Sequence, residues 1–280
     1  MWRAFKPLSI PHRGPILSRA SILAYTRFPT GTNFGLRMKR QIALLAVLLT
    51  SAALSGCETT TNPESLAQND PYEPTNRKIF ALNNDLDKHV MRPVAVFYND
   101  TVPEQIRDRF HYALENLDEP VTLANDVLQG EPKRAIQTVG RITFNTTLGI
   151  GGMFDIASKM GIPPHTEDFG QTLGVWGSGE GPYWVLPGVG PSPPRDSAGR
   201  VVDIFLDPFT YIRFDGFRTL AYARAGMGVL DLRARNVDTL DEIERTSVDY
   251  YATQRSLYRQ YRNNEIRNGA PDSSSDLPNL

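Results

Sequence analysis

The chain has 280 residues, of which 40% are hydrophobic, 22% charged and 10% aromatic, the composition of a folded protein. Its net charge of −1 hides an asymmetry: eight of the 30 basic residues and none of the 31 acidic ones fall in residues 1–56, leaving residues 57–280 with 22 against 31. An acidic body is unsuited to nucleic acid or to electrostatic docking on an anionic membrane, and one cysteine excludes an internal disulfide or a cysteine-built zinc site.

In chain order, residues 1–37 are Arg-rich and acid-free, superficially like a transit peptide. We take them as a mis-assigned N-terminal extension with Met38 as the true start, because a transit peptide leading into a secretory signal makes little sense. "MKRQIALLAVLLTSAALSGC" (38–57) is such a signal, with Lys39 and Arg40 as the charged region and Ile42 to Leu54 as the apolar one. That run falls short of the roughly 20 residues needed to span a bilayer as a helix. Residues 38–56 are thus expected to be a lipoprotein signal peptide, since "LSGC" resembles a bacterial lipobox. The resemblance implies cleavage before Cys57, whose thiol carries diacylglycerol, with fatty acyl (palmitate-type) lipid and no other cofactor. Glu58, rather than Asp, in the second mature position favours the outer membrane.

Residues 57–69 are Thr-, Asn- and Ser-rich and are expected to be a tether. Asn76 then caps an expected helix with Ile79, Leu82, Leu86 and Val90 on one stripe, ended or kinked by Pro93. A second helix opens at Pro103, carries Ile106, Phe110, Ala113 and Leu117, and closes at Pro120. A short segment from Val121 to Gln129 stops at Gly130, a good left-handed helix end. After Pro132 a third helix is expected to turn Ile136, Val139 and Ile142 inward.

Residues 161–194 are nearly half Gly or Pro yet hold Phe169, Trp176, Tyr183 and Trp184, which points to an ordered, packed loop with a short helix or hairpin near Trp176–Leu186. Its aromatic residues suit either a core or a membrane interface. Val201, Val202 and Phe205 suggest a short helix stopped near Pro208, and a long helix covers roughly 214–235. Leu240, Ile243, Ser247, Tyr250, Gln254, Leu257 and Tyr261 share one face of a last helix. Residues 268–280 have the composition of a disordered tail. The whole is a mainly α protein with one domain over 70–267.

No P-loop, nucleophile elbow, dinucleotide fingerprint or HExxH motif is present. "HTED" (His165, Glu167, Asp168) lacks a recognised metal spacing and is read as a loop. Glu115, Asp118 and Glu119 are read as surface or capping acids rather than a glycosidase pair. The expectation is therefore a protein that is not an enzyme and holds no metal.

Six stretches resemble the MlaA/VacJ family of outer-membrane lipoproteins: "DPYEPTNRKIFALN" (70–83), "RPVAVFY" (92–98), "ENLDEPVTLANDVLQG" (115–130), "RITFNTTLGIGGMFDIA" (141–157), "EDFGQTLGVWGSGEGPYWVLPGVGPSPPRD" (167–196) and "VDYYATQRSLYRQY" (248–261). They run through nearly all of 57–261, more loosely across 197–247. The resemblance implies amphipathic helices forming a ring around a central channel, lipid-anchored on the periplasmic side of the outer membrane and associated with a trimeric porin. It implies that phospholipid strayed into the outer leaflet is passed to a periplasmic carrier of the Mla pathway, preserving lipid asymmetry. It further makes Gly149, Gly151, Gly152, Gly170, Gly174, Trp176, Tyr183 and Trp184 candidates for lining or gating the lipid path, against simple tight packing. Arg77, Arg92, Arg141 and Arg195 are candidates for phosphate contact or for structural ion pairs, with Asp168 and Asp196 as plausible partners. The alternatives are a lipoprotein that scaffolds porins without conducting lipid and, more remotely, an envelope hydrolase.

Overall fold

The computed structural model describes residues 59–270, so residues 1–37, the signal segment, Cys57 and the tail beyond 270 lie outside the described residues. The described residues are mainly helical, as expected, and belong to one compact unit. Part of the expected tether is folded: α1 (Pro63–Ala67) is capped by Asn62, whose side chain accepts from the Glu64 N–H, and Ser65 is buried.

Helix α2 (Glu73–Leu86) begins three residues before Asn76. Asn76 is therefore not its cap but a buried tie. Its Nδ2 donates to Asp70 Oδ1 (2.8 Å) and the Tyr183 carbonyl (3.0 Å), and its Oδ1 accepts from the Val185 N–H (2.9 Å). Pro93 does not end the run either. One π-turn (Asp87–Met91) leads into α3 (Arg92–Thr101), and its wider winding absorbs the donor a proline cannot supply.

Helix α4 (Glu104–Gln129) passes straight through Pro120, contrary to the expected stop, and ends at Gly130 with φ 76°. Proline deprives the Asn116 carbonyl of its partner, but Glu119, Thr122, Asn125 and Asp126 around it are all buried, and these tertiary bonds hold the helix. Helix α5 (Pro132–Thr147) returns antiparallel to α4. A turn leads to α6 (Ile156–Lys159), capped by Asp155.

The Gly/Pro-rich segment contains both a helix and a hairpin. Asp168 caps α7 (Phe169–Val175), and β1 (Val185–Leu186) pairs antiparallel with β2 (Gly190–Pro191). Helix α8 (Pro194–Leu206) crosses α7 so closely that a Cβ on Gly199 would lie 2.3 Å from the Gly170 nitrogen. A 3₁₀ turn (Pro208–Tyr211) precedes α9 (Phe217–Arg235). The expected last helix divides into α10 (Val237–Thr246) and α11 (Tyr250–Ile266), because Asp249 turns aside to cap α11 by accepting from the Ala252 N–H.

Apolar packing is modest. Ala95, Tyr98, Ala234 and Val237 form one cluster between α3, α9 and α10; Tyr183, Val185 and Tyr251 form another between β1 and α11, with Ile79 and Phe80 of α2 against it. The α5 stripe expected to face inward turns Ile136 and Val139 outward instead, and much of the apolar stripes of α2 and α4 is exposed as well. Leu82, Leu86, Val90, Ile106, Phe110, Ile136 and Val139 are all exposed, Ile136 by 73%. On α5 the inward positions are Thr138, Arg141 and Asn145.

The Gly199–Gly170 crossing yields the first test. Gly199→Ala forces two backbones apart and should cost about 1–3 kcal/mol, lowering the thermal midpoint by roughly 2–10 °C for a domain of this size. Calorimetry of the purified protein in detergent measures it.

Candidate functional site

The interior that replaces an apolar core is a set of polar and charged side chains joined by direct bonds. Between α4 and α5, Arg141 is almost fully buried. Its Nε donates to Glu119 Oε1 (2.6 Å), and its Nη1 donates to Ser158 Oγ and the Ile162 carbonyl (both 3.2 Å). Asn145 donates to Asp155 (3.1 Å) and accepts from the Ala157 N–H (2.9 Å), fastening α6. Burial pushes the Glu119 carboxyl above its ordinary value despite Arg141.

Two turns along α4, Asp126 accepts from Thr138 Oγ1 (2.5 Å) and lies 3.1 Å from His165 Nε2. Glu167 takes Arg134 and the Gln129 amide (2.8 Å). Gln129 reaches Thr172, Thr172 donates to Asn125 Oδ1 (2.8 Å), and Asn125 donates to Asp203 (3.1 Å). Asp203 also accepts from the Phe169 N–H (3.0 Å), and burial raises its pKa to about 6.

Arg262 of α11 anchors the far side. It grips Asp168 through two nitrogens (2.7 and 2.9 Å) and reaches Asp196 (3.1 Å) and Glu265 (2.9 Å). Burial works against the carboxylates of Asp168 and Asp196, yet Arg262 holds both below the ordinary range. A further knot centres on buried Asp70, which accepts from Asn76, Tyr251 and Arg255 (2.6 Å). On the α9 side, His111 lies between Asp231 (2.7 Å) and Glu115 (3.2 Å). The Asp231 bond and then the Glu115 bond raise its pKa to about 9.

The four candidate arginines all lie in ion pairs. Arg77 holds Asp249 (2.6 Å) and Glu73 (2.7 Å), Arg92 holds Asp241 (2.6 Å), Arg141 holds Glu119, and Arg195 holds Asp196 (3.0 Å). Of the glycines, Gly149, Gly152, Gly170 and Gly174 sit where a Cβ would come within 2.3–2.8 Å of Phe154, Asn116, Arg262 and Ile266 respectively, so close packing accounts for them. Gly151 lies in open space with φ 68°. Tyr183 is core, and Trp184 is half-buried with its Nε1 donating to Ser197 Oγ (3.3 Å). Trp176 is exposed, packed edge-on against Phe169 and bonded to the Leu128 carbonyl (3.1 Å).

The remaining sequence candidates disperse. His165, Glu167 and Asp168 turn to three different partners, and among the described residues no cluster of ligands suits a metal. Glu115, Asp118 and Glu119 turn to His111, Arg224 and Arg141. Sequence reasoning missed Asp126, Thr138, Asp203, Asp70, Arg255 and Arg262. The available signal was the polar spacing of three and four in Glu119–Thr122–Asp126 and Thr138–Arg141–Asn145, opposite each apolar stripe.

Comparison with known proteins places this arrangement. The family model described as MlaA lipoprotein matches residues 68–265. An uncharacterised protein of Rickettsia bellii is 36% identical over 199 residues, covering 71% of this chain and 77% of its own length. The intermembrane phospholipid transport system lipoprotein MlaA of Haemophilus influenzae is 34% identical over 241 residues, covering 84% and 95%. A solved structure, from work on the structural basis for maintenance of bacterial outer membrane lipid asymmetry, matches with a TM-score of 0.64 at 33% identity, covering 70% of this chain and 98% of that one.

Two tests follow from the network. Arg141→Ala strands a buried carboxylate and should cost about 3–5 kcal/mol, most of it recovered in Arg141→Met/Glu119→Leu; denaturant titration measures both. His111 is raised above its unfolded value of 6.5, so its contribution is complete below pH 6.5 and fades as pH rises through about 9. His111→Gln should flatten stability across that window.

Proposed function

The chain belongs to the MlaA lipoprotein family, and from that premise we propose that it takes mislocalised phospholipid from the outer leaflet of the outer membrane and passes it inward through an amphipathic channel between its helices. A periplasmic carrier of the Mla pathway receives the lipid, and a trimeric porin holds the protein at its station. Cys57, carrying diacylglycerol and an acyl chain, anchors it on the periplasmic side. One acyl chain alone binds a membrane only marginally, whereas two or more anchor it stably.

The observation that carries this reading is the inverted distribution of side chains. Leu82, Leu86, Val90, Val94 and Phe97 follow one another at spacings of three and four along α2, the π-turn and α3, all exposed; on α8 Ile204 and Phe205 lie three and four residues beyond Val201, exposed likewise. Contiguous apolar surface of that kind marks a partner or a membrane. Hydrocarbon over a fully covered Leu, Val or Phe contributes about 1.5–3 kcal/mol each, so these stripes hold the domain in a leaflet. Among the described residues no helix is long and apolar enough to cross the membrane, which suits a protein seated in one leaflet.

A headgroup moving through hydrocarbon needs polar groups in place of its water, at a penalty of several kcal/mol otherwise. Helices that turn apolar faces outward and polar faces inward provide both surroundings. The transfer breaks no bond, and the carboxylates a hydrolase would use are engaged with Arg141, Arg224 and His111.

The test compares outer-leaflet phospholipid in cells lacking the gene with the same cells given wild type or Cys57→Ala. Phospholipid should accumulate in the deletion strain, fall with wild type and stay high with Cys57→Ala. Normal outer-leaflet lipid in the deletion strain overturns the proposal.

A further inference from the structure

We propose that the cavity between α4, the 3₁₀ turn and the start of α9 holds an acyl chain of a phospholipid whose phosphate lies on Arg213 and Arg218. This rests on the transport reading above and adds to it a defined resting place for the lipid.

The cavity has a volume of about 280 Å³ and is walled by Leu117, Phe209, Phe217, Leu220, Ala221 and Ala225. The small side chains Ala221 and Ala225, one turn apart on α9, leave the slot open beneath Leu117 of α4. Its charged wall, Arg224, is already engaged. Nη1 donates to Asp207 (2.8 Å), Nη2 donates to the Leu117 carbonyl (3.0 Å) and to Asp118, and the guanidinium lies over the Phe209 ring at 5.1 Å. What remains facing the void is hydrocarbon, which suits an alkyl chain and offers water few of the two to four polar partners it needs.

Phe217 also borders a shallow recess formed by Arg213, Phe214, Asp215, Gly216, Arg218 and Thr219. Arg213 donates only to the carbonyls of its own turn, Thr210 and Ile212 (3.1 Å to the latter), and Arg218 has no carboxylate partner among the described residues. They differ in this from Arg141 and Arg262, which are paired with carboxylates. Against two guanidinium groups the recess sets one acid, Asp215, leaving a net positive mouth beside an apolar slot. A phospholipid has the matching order, a phosphate diester joined through glycerol to an alkyl chain. Arginine is suited to the phosphate because its planar fork can donate two parallel bonds. Exposed Phe214 lines the same mouth and adds apolar surface beside the two arginines.

The test uses the full lipidated protein in detergent, with dioleoyl phosphatidylglycerol as probe and native mass spectrometry counting bound lipid. Palmitate supplies a chain without phosphate, and glycerol 3-phosphate a phosphate without a chain. Wild type should retain one phospholipid that neither compound displaces. Ala221→Phe/Ala225→Phe fills the slot and should lose it. Arg213→Gln/Arg218→Gln, at exposed positions that leave folding intact, should bind about tenfold more weakly. Undiminished retention in the filled variant, or unchanged affinity in the arginine variant, overturns the assignment. Displacement by palmitate or by glycerol 3-phosphate also overturns it, in favour of a fatty-acid or a phosphate site. Should wild type retain no phospholipid at all, the transport reading fails too; retention by wild type and both variants alike removes only this site.

Discussion

A polar group taken out of water must be met by another polar group, and in this protein that requirement governs the interior. Arg141, Asp126, Asn125, Thr138, Thr172 and Asp70 are nearly or wholly buried, and each lies in hydrogen bonds to side chains or backbone from a different element. The helices are placed accordingly. Helix α5 lies along α4 where Arg141 meets Glu119 and Thr138 meets Asp126. Helix α11 returns across the domain to where Arg262 meets Asp168 and Asp196, and Arg255 meets Asp70. Such pairs add little net stability against well-packed apolar replacements, yet removing one partner is costly. They specify one arrangement more than they strengthen it.

The same pattern explains the surface. With the inward faces polar, the apolar face of each amphipathic helix is left outside: Phe97 on α3, Ile136 on α5, Phe205 on α8 and Leu232 on α9 are each more than 60% exposed. In water this would be an aggregation hazard; against acyl chains it is the favourable side. On the proposed function interior and exterior are one adaptation: a lipid environment that rewards the outside leaves the inside free to be polar.

The ordered character of 161–194 was legible from its aromatic residues, although its helix (Phe169–Val175) precedes the expected Trp176–Leu186 and its hairpin overlaps only the end of that stretch. Much of the helical content was legible from periodicity. The direction of each stripe was not, because a period of 3.6 locates an apolar face without saying whether protein or lipid covers it. Pro120 misled because local propensity argues for a stop, which buried bonds from Glu119 to Asp126 override; at Pro93, where an end or a kink was expected, a π-turn takes up the irregularity and the helical run continues. Asn76 looked like a cap from its residue type and position alone, but its three bonds reach Asp70 and the distant Tyr183 and Val185. The motifs that carry the family resemblance nevertheless hold the network itself. Asp70, Asn76 and Arg77 lie in the first, Glu119, Asn125 and Asp126 in the third, Arg141 and Asn145 in the fourth, Asp168, Arg195 and Asp196 in the fifth, and Tyr251 and Arg255 in the last. Arg262 falls one residue beyond that last motif, and no local signal tied it to Asp168 ninety-four residues earlier.

The central claim is that the exposed stripes face hydrocarbon while the polar network is interior. Nitroxide labels placed singly at Phe97, Ile136, Phe205 and Leu232 of the lipidated protein in phospholipid vesicles test it, by comparing collisions with oxygen, which concentrates in hydrocarbon, and with a water-soluble nickel chelate. The inverted arrangement predicts high oxygen and low chelate accessibility at all four positions. Chelate accessibility equal to that of a label on the water-facing surface, at all four, would contradict it.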